Sequence, residues 1–377
     1  MINYVQEVPL GKWEEKVEKV SRTGIAHLPL HHGRAPRWLF ERMVRLSREI
    51  TIAIVTDFNA EEMLRRLSDP FWFQALGCIL GWDWHSSGVT TVVCGALKEG
   101  IRGVEHELGL YVAGGKGNTS RRTPAEVTRF GDACGIDAVP LVYASRMAAK
   151  VDNAALQDGY QLYHHTFLFT AAGKWAVVQQ GMNDRNRYAR RYHWLGGEVK
   201  DFVCEPHSAI CTEAWGEALN MVASESEQAR QVVTQLAAGH KPEVLLDELT
   251  RLKTLDLPSR HYLSMDDINP DRLQKIFVHT YERRPECFES LLGMQGVGPK
   301  TIRALSLLSE LVYGVAPSVR DPARYSFAHG GKDGHPYPVD RETYDKSIDV
   351  LSRAVKKAKL GLRGELEALS RLHRMFP

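Results

Sequence analysis

In "PRWLFERMVRLSREI" (36–50) apolar residues fall at Trp38, Leu39, Met43, Val44 and Leu46, a three- and four-residue spacing that predicts an amphipathic helix. The short apolar runs on either side, "IAHLPL" (25–30) and "TIAIVTDF" (51–58), read as strands. The clearest strand pattern comes later, where "YQLYHHTFLFT" (160–170) and "KWAVVQQGM" (174–182) flank the turn "AAGK" (171–174). A tight hairpin would set Phe169 opposite Trp175, Phe167 opposite Val177 and His165 opposite Gln179. The other face would pair Thr166 with Val178 and His164 with Gln180, so the end near the turn is apolar and the far end polar.

From Glu213 the texture becomes helical. "EAWGEALNMVA", "EQARQVVTQLAAG", "KPEVLLDELTRLK", "PDRLQKIFVHTYERR", "RETYDKSIDVLSRAVKKAKLG" and "GELEALSRLHRMF" are apolar-periodic segments broken by Gly, Pro and Asp. We therefore expect an α+β protein. Residues 1–212 would form a mixed α/β module with a central β-hairpin, and residues 213–377 an all-helical domain.

Composition adds limits. A chain of 377 residues can bury a sizeable core, and no apolar run approaches the ~20 residues that span a bilayer. The N-terminus "MINYVQEVPLGKWEEKVEKV" has no apolar core of a signal peptide, which points to a cytoplasmic protein without a membrane partner. Six cysteines without a C-x-x-C pair suit buried thiols in a reducing compartment, and Cys204, His207 and Cys211 make only half a zinc site. The net charge of +2 decides nothing, because a basic patch can hide in a neutral total.

"GMQGVGPKTIRAL" (293–305) places Gly296, Val297 and Gly298 between two helical patterns and follows them with Pro299, Lys300 and Thr301. Glycines allow a tight turn, proline suits a first helical position, and free amides at a helix N-terminus favour a phosphate oxygen. Such a cradle reads backbone rather than bases, so binding would be largely independent of sequence. "LLGMQGVGPKTIRALSLL" resembles the helix-hairpin-helix motif of DNA repair and replication proteins, which we place at 286–313. The resemblance implies DNA as partner, held by Gly296, Val297, Gly298, Lys300 and Thr301. Most of the chain also resembles a family catalogued as domain-of-unknown-function family 763, through "RTGIAHLPLHHGRAPRWLFERMV", "DPFWFQALGCILGWDWHSSGVTT", "VAGGKGNTSRRTP" and "YSFAHGGKDGHPYPVDRETYDKSI". It implies that the hairpin belongs to a larger helical domain that includes the loop bearing Lys332.

Candidate chemistry gathers in the middle. Asp152 and Asp158 precede the β-hairpin, its polar end carries His164, His165, Gln179 and Gln180, and Glu205 and His207 follow. Carboxylates and imidazoles at strand ends can hold Mg2+ or Mn2+ and activate water against a phosphodiester, with Asp152, Asp158 and Glu205 as ligands or bases, the metal on Asp158 and Glu205, and His165 or His207 moving protons. The restriction-endonuclease core is the nearest pattern; Gln179 and Gln180 would supply its amide, but Gly181 and Met182 stand where it has lysine. A polar hairpin edge with internally satisfied side chains is the competing account. "RNRYARRYHW" (185–194) interleaves Arg185, Arg187, Arg190 and Arg191 with Tyr188, Tyr192 and Trp194, as single-strand binders do. "GLYVAGGKGNTS" lacks the lysine and hydroxyl offsets of a P-loop, and "WDWHSSG" lacks a nucleophile elbow. His27, His31 and His32 stay undecided.

The resulting expectation is a DNA-processing protein, a metal-dependent nuclease acting on single-stranded or branched DNA. One alternative is a glycosylase or abasic-site lyase, because Lys300 stands where such helix-hairpin-helix enzymes carry their attacking lysine and Asp321 could be the following acid. The other is a non-catalytic binder of DNA structures.

Overall fold

The computed structural model describes residues 35–82, 86–212, 215–252, 270–323, 341–358 and 361–375. "TIAIVTDF" is the second half of a helix, α1 (Arg37–Asp57), rather than a strand. Its β-branched residues favour strand locally, but Met43, Leu46, Ile50 and Ile54 continue one buried stripe, and packing overrides the local preference. "IAHLPL" lies outside the described residues. Three more helices follow: α2 (Ala60–Ser68), α3 (Pro70–Ile79) and α4 (Gly88–Gly100). The Asn59 side chain caps α2, and Asp69 caps α3 ahead of Pro70.

A five-stranded antiparallel sheet forms the centre, in the order β1 (Leu110–Lys116), β3 (Gln161–Thr170), β4 (Trp175–Asn183), β5 (Tyr188–Leu195) and β6 (Ala209–Cys211). The β3–β4 hairpin has the expected register, from Phe169 opposite Trp175 to His164 opposite Gln180, with an irregularity between Leu162 and His164. Helices cover both faces of this sheet. On one side Leu110, Val112, Leu168, Ala176 and Val178 pack with α1–α4 and with Val350, Leu351, Ala354 and Val355 of α13 (Arg341–Lys357). On the other, Tyr111, Phe167, Phe169, Val177, Tyr192 and Trp194 join α7 (Ala138–Lys150), α8 (Glu227–Gly239), α9 (Pro242–Leu252), α11 (Phe288–Gly293) and α12 (Pro299–Leu311). Successive strand residues point to opposite faces, so each face needs its own apolar cover.

The fold is thus α+β, but the cores do not follow the boundary at residue 212: the second buried cluster runs from Tyr111 to Leu308, and α13 packs on the N-terminal helices. The segment after 213 is also not wholly helical. Its β7 (Leu219–Asn220) pairs with β2 (Leu156–Gln157) just ahead of the hairpin. No described helix is long and apolar enough to cross a membrane.

Candidate functional site

At the end of α7 the helix widens into a π-turn, Val151–Ala155, and this turn carries Asp152 into the interior. Its Oδ2 accepts hydrogen bonds from Gln179 Nε2 (2.5 Å) and Trp194 Nε1 (2.9 Å), and Oδ1 lies 2.5 Å from His207 Nε2. Gln179 Oε1 accepts from His165 Nδ1 (2.7 Å), which leaves His165 Nε2 to accept from Ser145 Oγ (2.9 Å). Ser145, His165, Gln179, Asp152 and His207 thus form one chain of contacts. Burial holds His165 below its ordinary pKa, with Gln179 and Asp152 opposing. His207 is held edge-on to Trp194, centroids 4.6 Å apart, and no protein group among the described residues meets its Nδ1. A carboxylate only accepts, so Nε2 is the nitrogen that donates to Asp152, and Nδ1 lies on the other side of the ring.

Asp158 belongs to a different cluster. Its Oδ2 takes Arg190 (2.9 Å) and Tyr192 Oη (2.7 Å), and Oδ1 takes the Tyr160 amide. Arg190 in turn grips both oxygens of Asp321 at 3.0 and 2.7 Å. Burial pushes the Asp158 carboxyl up against the pull of Arg190. Glu205 is exposed, has a left-handed backbone (φ 46°), and accepts from Ser224. The two carboxylates expected as a metal pair sit in different surroundings: Asp158 is engaged by a guanidinium and a phenol, and Glu205 is exposed beside Ser224. Among the described residues no group of three His, Cys, Asp or Glu side chains could hold a metal.

The turn between α11 and α12 has a geometry of its own. Leu291, Leu292, Ile302, Leu305 and Leu308 are buried on the inner side, as their spacing predicts. Gly296 has φ 89°, which needs glycine, whereas Gly298 is extended (φ −145°) and would accept any residue. Lys150, at the end of α7, donates to the carbonyls of Val297 and Met294, and Gln157 donates to that of Pro299 (2.9 Å). In a trans peptide the N–H points opposite to the C=O of the same unit. With these three carbonyls held by Lys150 and Gln157, the amides of Gln295, Gly298 and Lys300 point away from those two side chains. Gly298 caps α12 without any side-chain hydrogen bond to the first turn. Val297 and Thr301 are buried, and Lys300 is exposed.

The model of a family described as "Protein of unknown function (DUF763)" matches residues 24–339. The chain belongs to that family. No curated protein and no solved structure matches it.

Several expected site residues of this DUF763 chain fall elsewhere. Arg190 and Arg191 are buried, not surface contacts: they alternate across β5, Arg190 toward Asp158 and Arg191 toward Gln74, His193 and the Phe73 ring. Gln180 lies on the opposite face from Gln179 and is held by Thr90, Tyr163 and the Ser87 carbonyl, 2.9 Å away. Cys211 sits with Arg191 while His207 turns to Asp152, so these two do not share a zinc site. Lys332, His27, His31, His32 and His85 lie outside the described residues. Ser145 carries no sequence signal, and Gln179 stands out only as one of two amides at the hairpin's polar end. Period-two alternation was the available signal for the latter, since it already places Gln179 with His165 and Gln180 with His164.

Proposed function

We propose that this chain binds DNA through the phosphate backbone at the 294–301 turn, with little regard to base sequence. The observation that carries the reading is the grip of Lys150 and Gln157 on three turn carbonyls, which leaves three amides pointing away from those side chains, beside Lys300 at an uncapped helix start. The likeness of "LLGMQGVGPKTIRALSLL" to the helix-hairpin-helix motif agrees with it. Fluorescence anisotropy of labelled single- and double-stranded DNA at several salt concentrations tests the proposal. Binding should weaken steeply with salt and differ little between sequences, and no binding at low salt refutes it.

DNA cleavage is a second reading, favoured by one observation: the buried Asp152 orients His207 so that an unpartnered imidazole nitrogen is available as a base. It replaces the Asp158 and Glu205 pair as the place to look. The glycosylase reading loses its acid, because Asp321 is committed to Arg190.

A further inference from the structure

We infer that the β4–β5 turn, through Arg185 and Arg187, forms a second phosphate contact, so that a nucleic-acid strand held at the start of α12 continues across this end of the sheet. The inference rests on the backbone-binding reading and extends its footprint.

The turn "NDRNRY" (183–188) is built rigidly. Asn183 Oδ1 accepts from the amides of Arg185 (2.9 Å) and Asn186 (3.3 Å), Asn186 Oδ1 accepts from the amide of Tyr188 (2.9 Å), and the Arg187 amide returns to the Asn183 carbonyl (2.9 Å). Arg187 is held at φ 60°, a left-handed conformation uncommon for a residue with a side chain. Strain of this kind persists where the surroundings fix it and collects at functional positions. Both arginine side chains are exposed and make no ion pair with the described residues, although Asp184 stands beside them. This separates them from Arg190, Arg191 and Arg230, which the fold consumes internally. Among the described residues neither arginine has an ion-pair partner, so both guanidinium groups can meet a phosphate.

The turn also lies beside the proposed cradle. Asn186 Nδ2 donates to Tyr160 Oη (3.1 Å), and a Cβ on Gly159 would come within 3.1 Å of Asn183 Nδ2. Two residues before Gly159, at most ~7 Å of extended chain, stands Gln157, whose amide holds the Pro299 carbonyl. Arginine on a fixed turn suits phosphate oxygens, which it can meet with two parallel donors. At the same end of the sheet, Lys116 closes β1 and the exposed Arg121 and Arg122 follow, which lengthens the cationic rim.

The test uses the full chain and a labelled 30-nucleotide single strand, with anisotropy titrations across a salt series. Replacing Arg185 by Ala and Arg187 by Gly removes both charges, and glycine accepts the positive φ, so the turn keeps its shape and thermal unfolding stays unchanged. Loss of two contacts should lower the magnitude of the slope of log affinity against log salt by about 1.4, at roughly 0.7 per phosphate on single strands. An unchanged slope with the wild type still binding overturns the second contact and leaves the cradle standing. A wild type that does not bind removes the backbone reading and this extension together. A slope reduced only because the protein has unfolded is recognised by the melt, and Arg187→Gly alone, expected to lower the slope by about 0.7, then decides the matter.

Discussion

Asp152 Oδ1 and His207 Nε2 lie 2.5 Å apart although the residues are 55 positions apart in the chain. The buried carboxylate collects three side-chain donors, and without it Trp194 and His207 lose this acceptor while Gln179 keeps only the Ala148 carbonyl. We expect Asp152→Ala to cost about 3 to 5 kcal/mol of unfolding free energy, measured by urea denaturation. A cost under about 1 kcal/mol would mean that the three donors find other partners and that Asp152 does not hold the cluster together.

If the pair also serves cleavage, His207→Asn should abolish Mg2+- or Mn2+-dependent nicking of single-stranded or branched DNA while DNA affinity persists. Asp158→Ala should behave differently, losing stability because the buried Arg190 then loses one of its carboxylate partners. Full nicking by the His207 variant removes this histidine from any catalytic role.

Gly298 and Gly296 should respond in opposite ways. A Cβ on Gly298 meets nothing nearer than the Gly296 carbonyl at 4.0 Å, so Gly298→Asp should fold normally but lose about tenfold or more in DNA affinity, as a carboxylate covers the turn amides. Gly296→Ala should instead cost about 1 kcal/mol of stability, because φ is 89° there. Equal DNA binding by the Gly298 variant counts against the cradle.

Lys150 offers a sharper test of how the cradle is set. Its ammonium faces carbonyls rather than solvent, and burial lowers its pKa. Lys150→Met should weaken DNA binding severalfold while leaving the salt slope unchanged, since no phosphate contact is lost. A slope reduced by about one unit would show that Lys150 touches phosphate directly.

Three buried histidines predict the response to acid. Burial lowers the pKa of His164 to about 3, and those of His165 and His193 also fall, against an ordinary 6.5. The unfolded chain therefore binds more protons than the native one below pH 6.5, and stability present above that pH is lost as pH falls toward the native values. Each histidine contributes up to about 1.4 kcal/mol per pH unit. Urea denaturation between pH 7 and pH 5 should show the decline, and His164→Gln should flatten it by about a third.

The hairpin register was readable because period-two alternation meets a four-residue turn, which leaves one pairing that keeps both faces matched. The helical hairpin was readable for a similar reason, with Gly, Pro and apolar spacing all agreeing. "TIAIVTDF" misled because its side chains prefer strands while its neighbours impose a helical stripe. The arginines of "RNRYARRYHW" misled because charge suggests solvent, whereas on a strand covered on both faces every position from Ala189 to Trp194 is interior. The contacts of Ser145, Asp152 and His207 depend on how a helix, a π-turn and a loop meet, and no local spacing encodes that meeting.

Because helices cover both faces of the sheet, it acts as a partition wall. Gln179 and Gln180 share a peptide bond, yet one serves the compartment of Asp152 and the other that of Thr90 and Tyr163. A half-turn of β4 about its own axis would exchange the contents of the two rooms. The strand therefore cannot slip by one residue without dismantling both, and a sequence change that tolerates slippage on one side is vetoed by the other.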